Sequence, residues 1–261
     1  MKSASSSDTI PQSVLDAALH EFTAKGYTEA RLDAIASASG VSKRMLHYHC
    51  GDKMGLYRAT YGYVLSLVRP SIESLRAPSE VPVEALQHVV GVVHDSFADH
   101  PIAVRFIIQE NLHPILPLEE STGTLGHSPI VMEFDRILLL GRDFGAFRTD
   151  VSALDLYVMV LSLASFPTLH ERTFHNLYNV ELTSSMLSNQ LREFAQDVVT
   201  GFLTSSPRRE PGASYTLPSA NTIPDTALSD DIYGSNNLST NQPDDSTDVA
   251  PDFTDIYDEN D

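Results

Sequence analysis

Apolar residues recur at helical spacing through most of the chain, and this periodicity is what most narrows the possible folds. Between Gln12 and Ser205 they return every three or four residues, and the strict alternation of a half-buried strand is absent. Pro and Gly fall at intervals that suit helix ends. The pattern predicts an all-α body with nine helices, at 12–25, 32–39, 42–50, 52–69, 81–99, 101–112, 125–143, 152–172 and 181–204.

Charge is distributed unevenly over the 261 residues, whose formal net charge is −18. From Glu210 onward there are 12 acidic residues and no Lys or Arg, which leaves a net −6 for residues 1–209. The terminal stretch is rich in Pro, Ser, Thr and Asn and lacks helical periodicity, so we predict a disordered acidic tail over 206–261. Net charge alone therefore does not argue against a nucleic-acid partner.

Composition and missing motifs disfavour several other classes of protein. The single cysteine, Cys50, excludes an internal disulfide framework and a cysteine-based zinc site. No uninterrupted apolar stretch approaches the roughly 18–20 residues of a membrane helix, and the first residues lack the apolar core of a signal peptide. We therefore expect a cytoplasmic protein without a membrane partner. Phosphate-binding loops, nucleophile elbows and metal-binding histidine spacings are absent from the sequence, so we predict no catalytic residue, metal or cofactor.

The segment 12–58 has the layout of a helix-turn-helix. The first two predicted helices each carry an apolar stripe. Gly40 supplies a tight left-handed turn, and the hydroxyl of Ser42 can cap the third helix. Leu46 and Cys50 lie four residues apart on one face of that helix, which we expect to point inward. This succession of helix, tight turn and helix predicts a helix-turn-helix domain.

The third helix has a basic outer face, although the chain as a whole is acidic. Its outer side chains are two cations, an imidazole and a phenol, which suit phosphates and the base edges of the major groove. Over residues 42–58 there are four basic residues against Asp52, a local charge of +3. Asp52 can cap the next helix and leave its N–H groups open to a phosphate. A three-helix unit with a merely solvated polar face would present the same pattern.

The stretch VLDAALHEFTAKGYTEARLDAIASASGVSKRMLHYHCGDKMGLYRA closely resembles the DNA-binding domain of the TetR family of bacterial transcriptional regulators. The likeness runs without a gap over about 46 residues and includes Lys25-Gly26-Tyr27, Ser39-Gly40-Val41-Ser42 and Gly51-Asp52-Lys53. Cys50 departs from the aromatic residue usual in the family. The resemblance implies that DNA is contacted by Arg31, Ser42, Lys43, Arg44, His47, Tyr48, His49 and Lys53.

These residues divide into two expected roles. We expect Lys43, Arg44 and His47 to read bases, because they lie on the outer face of the third helix. We expect Tyr48 and Lys53 to contact mainly phosphates, which position the protein without reading sequence.

Residues 81–205 resemble one subgroup of TetR C-terminal domains, notably over 105–113 and 145–150. The resemblance implies a helical chamber in which a small-molecule effector shifts the recognition helices. Such a chamber would be mostly apolar with a few polar groups. Candidate lining residues are Arg105, Glu110, Asn111, His113, Tyr157, Phe166 and His170. Glu110, Asn111 and His113 would equally form a satisfied hydrogen-bond network with no ligand.

The last predicted helix carries a wide apolar stripe, formed by Leu187, Leu191, Phe194, Val198 and Phe202. On a terminal helix such a stripe favours burial against a second copy of the chain, and the resemblance implies the same. It could instead close its own domain. A two-fold dimer would present two recognition helices to successive major grooves and bind a palindromic operator.

The sequence thus predicts four segments: a flexible arm over 1–11, the DNA-binding domain over 12–58, a regulatory and dimerisation domain over 59–205, and the tail over 206–261. We predict a dimeric, ligand-responsive repressor that binds double-stranded operator DNA. Two alternatives remain, an interaction protein that kept the fold but lost DNA binding and, less favoured, an all-α enzyme. The acidic tail could compete with DNA for the basic face.

Overall fold

The computed structural model describes residues 10–117 and 128–216, and in these residues it contains helices and no strand. The all-α prediction is therefore confirmed for the described part of the chain. Residues 1–9 of the predicted arm and 217–261 of the predicted tail lie outside it. The described helices are α1 (Gln12–Glu29), α2 (Leu32–Ser39), α3 (Lys43–Cys50), α4 (Lys53–Val68), α5 (Ile72–Leu75), α6 (Pro82–Ala98), α7 (Pro101–Leu112), α8 (Pro129–Asp143), α9 (Ala153–Tyr178) and α10 (Ser185–Thr204).

Helix ends follow the local signals closely in most places. α2 and α7 have the predicted bounds, and α7 starts with Pro101, where a missing N–H costs nothing. α1 is interrupted at Gly26, near its predicted end. The single turn α5 was absent from the prediction, because four residues are too few to show a period. α9 continues beyond its predicted end, and along its last turns the Phe174 and Tyr178 rings lie 5.3 Å apart.

The N-terminal core is shared between the helix-turn-helix and the body. Buried side chains of α1 to α4 form one hydrophobic cluster with three residues of α7, among them Phe106. The Tyr57 ring lies 5.0 Å from the Phe22 ring and 5.1 Å from the Phe106 ring. α4 supplies buried residues along its whole length, so the predicted boundary at residue 58 falls inside a continuous helix.

A second core lies among α6, α8, α9 and α10. α6 contacts the other three helices, and Leu86 and Val90 are completely buried there. Phe134 of α8, Leu156 of α9 and Val199 of α10 complete the centre of this core. α4 and α7 contact this four-helix body and join it to α1, α2 and α3.

α9 is long and apolar enough, by length and composition alone, to cross a membrane. In this structure it packs against α6, α8 and α10 and buries Leu156, Val160 and Ala164 in the core. Packing within the chain accounts for these buried residues, whereas other apolar side chains of α9, such as Val158 and Leu169, are exposed.

Residues 206–216 fold back onto the body, and we name them the C-terminal hook. The fully buried carboxylate of Asp150 accepts hydrogen bonds from the N–H groups of Arg208, at 3.0 Å, and Arg209, at 2.9 Å. Arg148 forms a buried ion pair with Asp150 at 2.6 Å. Residues 206–216, which were predicted to be disordered, therefore pack against the body in the structure. Their polar groups bond to side chains of the connection between α8 and α9, which is distant in sequence.

Asp155 holds the end of the hook as well as the start of α9. Its Oδ2 accepts the N–H of Ser152 in a capping box, and its Oδ1 accepts the N–H groups of Tyr215, at 2.9 Å, and Thr216, at 2.7 Å. Burial alone would raise the pKa of Asp155, but these hydrogen bonds lower it from 3.8 to about 2. Because the pKa is depressed, the ionised form of Asp155 stabilises the folded chain.

We predict that Asp155→Ala lowers the free energy of unfolding by roughly 2 kcal/mol at neutral pH, as the pKa shift implies. The carboxylate contributes fully above about pH 4, and its contribution disappears as the pH falls towards 2. Urea unfolding of both proteins across this pH range measures the difference. Trypsin should also cleave the variant faster after Arg208 and Arg209, since the hook is released.

Asp143→Ala is the matched control, because Asp143 is an exposed carboxylate at the end of α8. It should leave both stability and trypsin cleavage close to those of the unchanged chain. Equal cleavage of the Asp155→Ala and Asp143→Ala proteins would contradict a hook held by Asp155.

Candidate nucleic-acid interface

The turn between α2 and α3 has the geometry of a helix-turn-helix. Gly40 adopts a left-handed conformation, with φ 71° and ψ 13°, which a residue with a Cβ adopts only with strain. The N–H of Val41 then bonds to the carbonyl of Ala36 at 3.2 Å. The Ser42 hydroxyl accepts the N–H of Met45 at 3.2 Å and caps α3. The predicted turn and cap are confirmed.

α3 packs against α4 and against the N-terminal core. Leu46 is buried, and Cys50 is half-buried beside it, where burial raises the pKa of its thiol. The Asp52 carboxylate caps α4 by accepting the N–H of Gly55 at 2.7 Å, as predicted. A Cβ on Gly55 would overlap the Cys50 carbonyl. Glycine at this position therefore allows the first turn of α4 to approach the end of α3 closely. These contacts fix the orientation of α3 and thereby determine which of its faces is exposed to solvent.

The predicted DNA-contacting residues lie mostly on the exposed surface of α2 and α3. Arg31, at the N-cap of α2, is exposed, and Tyr48 on α3 is 67% exposed. His49 is half-buried and stacks edge-on against Tyr48 at 5.3 Å. The remaining exposed residues of the set on α3 and its cap are Ser42, Lys43, Arg44 and His47.

Lys43 forms an ion pair that local sequence patterns do not reveal. Its Nζ lies 2.8 Å from Oδ1 of Asp33 on α2, and this contact lowers the pKa of Asp33. Both side chains are more than half exposed, at 58% and 57%. An exposed pair of this kind is weak and screened by salt. Lys43 can therefore exchange Asp33 for a nucleic acid acceptor at little cost.

His47 and Lys53 each make a contact within the chain. Nδ1 of His47 lies 2.8 Å from the carbonyl oxygen of Gly51, so Nδ1 carries a proton and Nε2 remains for a partner. Nζ of Lys53 donates to the carbonyl of Thr28 at 2.9 Å and lies 4.9 Å from the centre of the Tyr27 ring. Lys53 thus ties α4 to the end of α1, while its other donors remain for a phosphate.

A buried hydrogen bond connects the helix-turn-helix to the body. The Tyr57 hydroxyl donates to Oε2 of Glu110 on α7 at 2.6 Å. Oε1 of Glu110 accepts the N–H groups of Ile115, at 3.0 Å, and Leu116, at 2.8 Å. Burial, and then the bond to Glu110, raise the pKa of Tyr57, so the hydroxyl stays a donor. The segment after α7 is thereby linked through two side chains to α4.

The seven predicted chamber residues have different surroundings in the described part of the chain. Glu110 has the buried network that the sequence left open as an alternative, whereas Asn111 and His113 are exposed and outside it. Arg105 lines an open cleft on the outside of α7. Tyr157 is half-buried, with its ring 6.5 Å from that of Phe134. Phe166 and His170 stack on each other at 4.2 Å along α9.

The predicted apolar stripe on α10 is partly exposed in the isolated chain. Phe194 is 56% exposed and Val198 is 37% exposed, while the other three members are half-buried. On α9, Val158 and Leu169 are also exposed, at 46% and 51%. The exposed members Phe194 and Val198 therefore do not help to close the body, whereas Phe202 packs against the second core.

Over residues 10–117 and 128–216, no group of three or more His, Cys, Asp or Glu side chains is placed to hold a metal ion.

Two family models match this chain. Residues 14–60 match the model described as "Bacterial regulatory proteins, tetR family", and residues 82–199 match "Tetracyclin repressor-like, C-terminal domain". The HTH-type transcriptional repressor NicS of Pseudomonas putida is 26% identical over 196 residues, which are 75% of this chain and 92% of NicS. The HTH-type transcriptional regulator RutR of Escherichia coli K12 is 31% identical over 116 residues, 44% of this chain and 54% of RutR.

A solved structure confirms the fold. The TetR family transcriptional regulator PfmR from Thermus thermophilus superposes with a TM-score of 0.53 at 22% identity, over 71% of this chain and 96% of PfmR. The chain is a DNA-binding transcriptional regulator of the helix-turn-helix class. This follows from the fold, the capped recognition helix α3 and the family matches together. The chain belongs to the TetR family of bacterial regulatory proteins.

We predict that Tyr57→Phe lowers the free energy of unfolding by about 1–3 kcal/mol, because it leaves the buried Glu110 with one hydrogen bond fewer. Thermal or urea unfolding followed by circular dichroism measures the change. Tyr61→Phe is the matched control, since Tyr61 is half-buried on the same helix and its hydroxyl has no hydrogen bond within the described residues. A loss of the same size in both variants would contradict a specific role for the Tyr57–Glu110 bond.

Proposed function

We propose that this regulator is a homodimeric repressor that binds a palindromic operator through α3 and responds to a small-molecule effector. The assignment of the DNA-binding surface is supported by the outer face of α3, which is exposed and is cationic in a chain of net charge −18. The name of the relative NicS, a transcriptional repressor, supports repression over activation. We place the protein in the cytoplasm, where operator DNA is found.

Within this surface we assign base reading to Lys43, Arg44 and His47. All three are exposed on α3, and Lys43 is held only by its exposed pair with Asp33. Arginine and lysine donate to guanine O6 and N7, and Nε2 of His47, an acceptor when Nδ1 alone carries the proton, is free for a donor on a base edge. Tyr48 and Lys53 would contact phosphates of the DNA backbone next to the bases that are read. Ser42 and Arg31 lie at the ends of the same surface, while half-buried His49 supports Tyr48.

The dimer proposal is supported by the exposed apolar stripe of α10 and its neighbours on α9. Large apolar side chains such as Phe194, Val198 and Val158 stay in water in the isolated chain. Pairing α9 and α10 with the same helices of a second copy would remove them from water and place two α3 helices on one face. A two-fold pair of this kind matches a palindromic operator.

Effector response is supported by the link between α7 and α4. A ligand that displaces α7 or the segment following it would act on Glu110, and through Tyr57 on the helix that supports α3. Such a ligand shifts the population of DNA-binding conformations only by its difference in affinity for them.

We predict that Lys43→Ala combined with Arg44→Ala weakens operator binding at least about tenfold, because base contacts typically contribute about 1–3 kcal/mol each. A gel-shift assay with the promoter region of the protein's own gene measures the affinity. Binding should also become less sensitive to salt.

Lys25→Ala controls for the loss of positive charge. Lys25 is exposed on α1, pairs with Glu21 at 2.9 Å, and is outside the proposed interface. Equal binding by the double variant and the unchanged chain would show that α3 is not the reading helix. Failure of the unchanged dimer to bind any operator fragment would favour the alternative, an interaction protein that kept the fold.

We predict that Phe194→Glu converts the dimer to a monomer, because a carboxylate on the apolar stripe would have to be buried unpaired at the interface. Analytical ultracentrifugation measures the mass in solution. Glu193→Ala alters an exposed residue on another side of α10 and should leave the mass unchanged. A dimer that survives Phe194→Glu would place the interface elsewhere.

A further inference from the structure

We propose that the open cleft between α1, α7 and α9 binds amphipathic organic anions. The cleft has a volume of about 600 Å³, within the range of small-molecule sites, and it lies outside the four-helix core. Each of the three helices supplies side chains to it. Because α1 is the first helix of the DNA-binding domain, a ligand here would touch that domain directly.

Two arginines make the cleft cationic. Arg105 of α7 and Arg172 of α9 both line it, and both are exposed. Neither has a hydrogen bond or an ion pair to any residue in the described ranges. A guanidinium presents a planar fork of donors that matches a carboxylate or a sulfonate. We expect two such groups on different helices of one cleft to hold one anionic group.

A polar group without a partner lies in the same cleft. Nε2 of Gln109 donates to the carbonyl of Thr23 at 2.9 Å and joins α7 to α1. Oγ1 of Thr23 is buried and has no hydrogen-bond partner among the described residues. A buried hydroxyl is normally paired, so this one is available to a bound ligand. Since a hydroxyl can donate, it adds a third donor for an anion.

The cleft also has an apolar wall. Ile102 and Ile108 of α7 and Leu169 of α9 line it, and Leu169 is 51% exposed. Removal of these side chains from water would favour a ligand with an aromatic or aliphatic body. The cleft contains one carboxylate, that of Glu171, whose Oε2 accepts the N–H of Thr183 at 2.9 Å on the α9–α10 connection. The ligand class is therefore an anionic head on an apolar body.

The regulatory consequence rests on the function proposed above. A ligand held by Arg105 and Arg172 while it contacts Thr23 would fix α1 relative to α7 and α9. It would thereby restrict how far the DNA-binding domain can move with respect to the body, and operator affinity would change.

The test uses the full chain and two dyes with similar ring systems. The anionic probe is 8-anilinonaphthalene-1-sulfonate, and the neutral probe is N-phenyl-1-naphthylamine, which lacks the sulfonate. Fluorescence titration should show that Arg105→Ala combined with Arg172→Ala weakens binding of the anionic dye at least about tenfold, because charge-assisted hydrogen bonds are lost. Binding of the neutral dye should change less than twofold. Arg76→Ala, which removes an exposed arginine after α5, should change neither.

Two further variants separate loss of the site from loss of the fold. Thr23→Val keeps the shape of the side chain, removes only the hydroxyl, and should weaken the anionic dye alone. Arg105→Lys combined with Arg172→Lys keeps the charge and should restore part of the affinity, with unchanged circular dichroism. Equal affinity of the anionic dye for all variants would overturn the proposal, as would equal weakening of both dyes.

The dye measurements do not depend on DNA binding. If the unchanged chain bound no operator, the proposed function would fail while the dye result stood. If it bound an operator but the dye affinities were unaffected by the arginines, the cleft proposal alone would fail.

Discussion

The position of the recognition helix depends on an aromatic core that two parts of the chain build together. A domain of fewer than about 60 residues buries too little surface to be robust by itself. Here Phe106 of α7 completes the packing around Phe22 and Tyr57, and Glu110 accepts the Tyr57 hydroxyl at 2.6 Å. Because the core is shared, α4, which packs against α3, also packs against α7.

Local charge matters more than total charge for what this protein binds. The chain carries −18, yet the exposed outer face of α3 is basic, and the acidic groups near it are already engaged: Asp33 with Lys43, and Asp52 with the start of α4. Screening in salt limits interactions between exposed charges to about 10 Å, so distant carboxylates affect this surface only weakly. The fold thus separates the cationic outer face of α3 from an acidic body.

The proposed DNA-binding surface was predictable from sequence, and the proposed ligand cleft was not. Gly40, Ser42 and Asp52 act on neighbours within a few residues, so the turn and both caps follow from local pattern alone. Arg105 was predicted to line a chamber, but it lines an outer cleft together with Arg172 and Thr23. That grouping joins three helices, and their relative rotation depends on packing that spacing in sequence does not encode.

By itself, the sequence determined the all-α class, most helix ends and the outer face of α3, because periodicity and capping are short-range effects. Only the tertiary structure decided that residues 206–216 are held rather than free. Asp155 receives the N–H of Tyr215 from 60 residues away, and such a partner is supplied by the meeting of distant segments. The same reason applies to the Tyr57–Glu110 bond, which joins residues 53 positions apart.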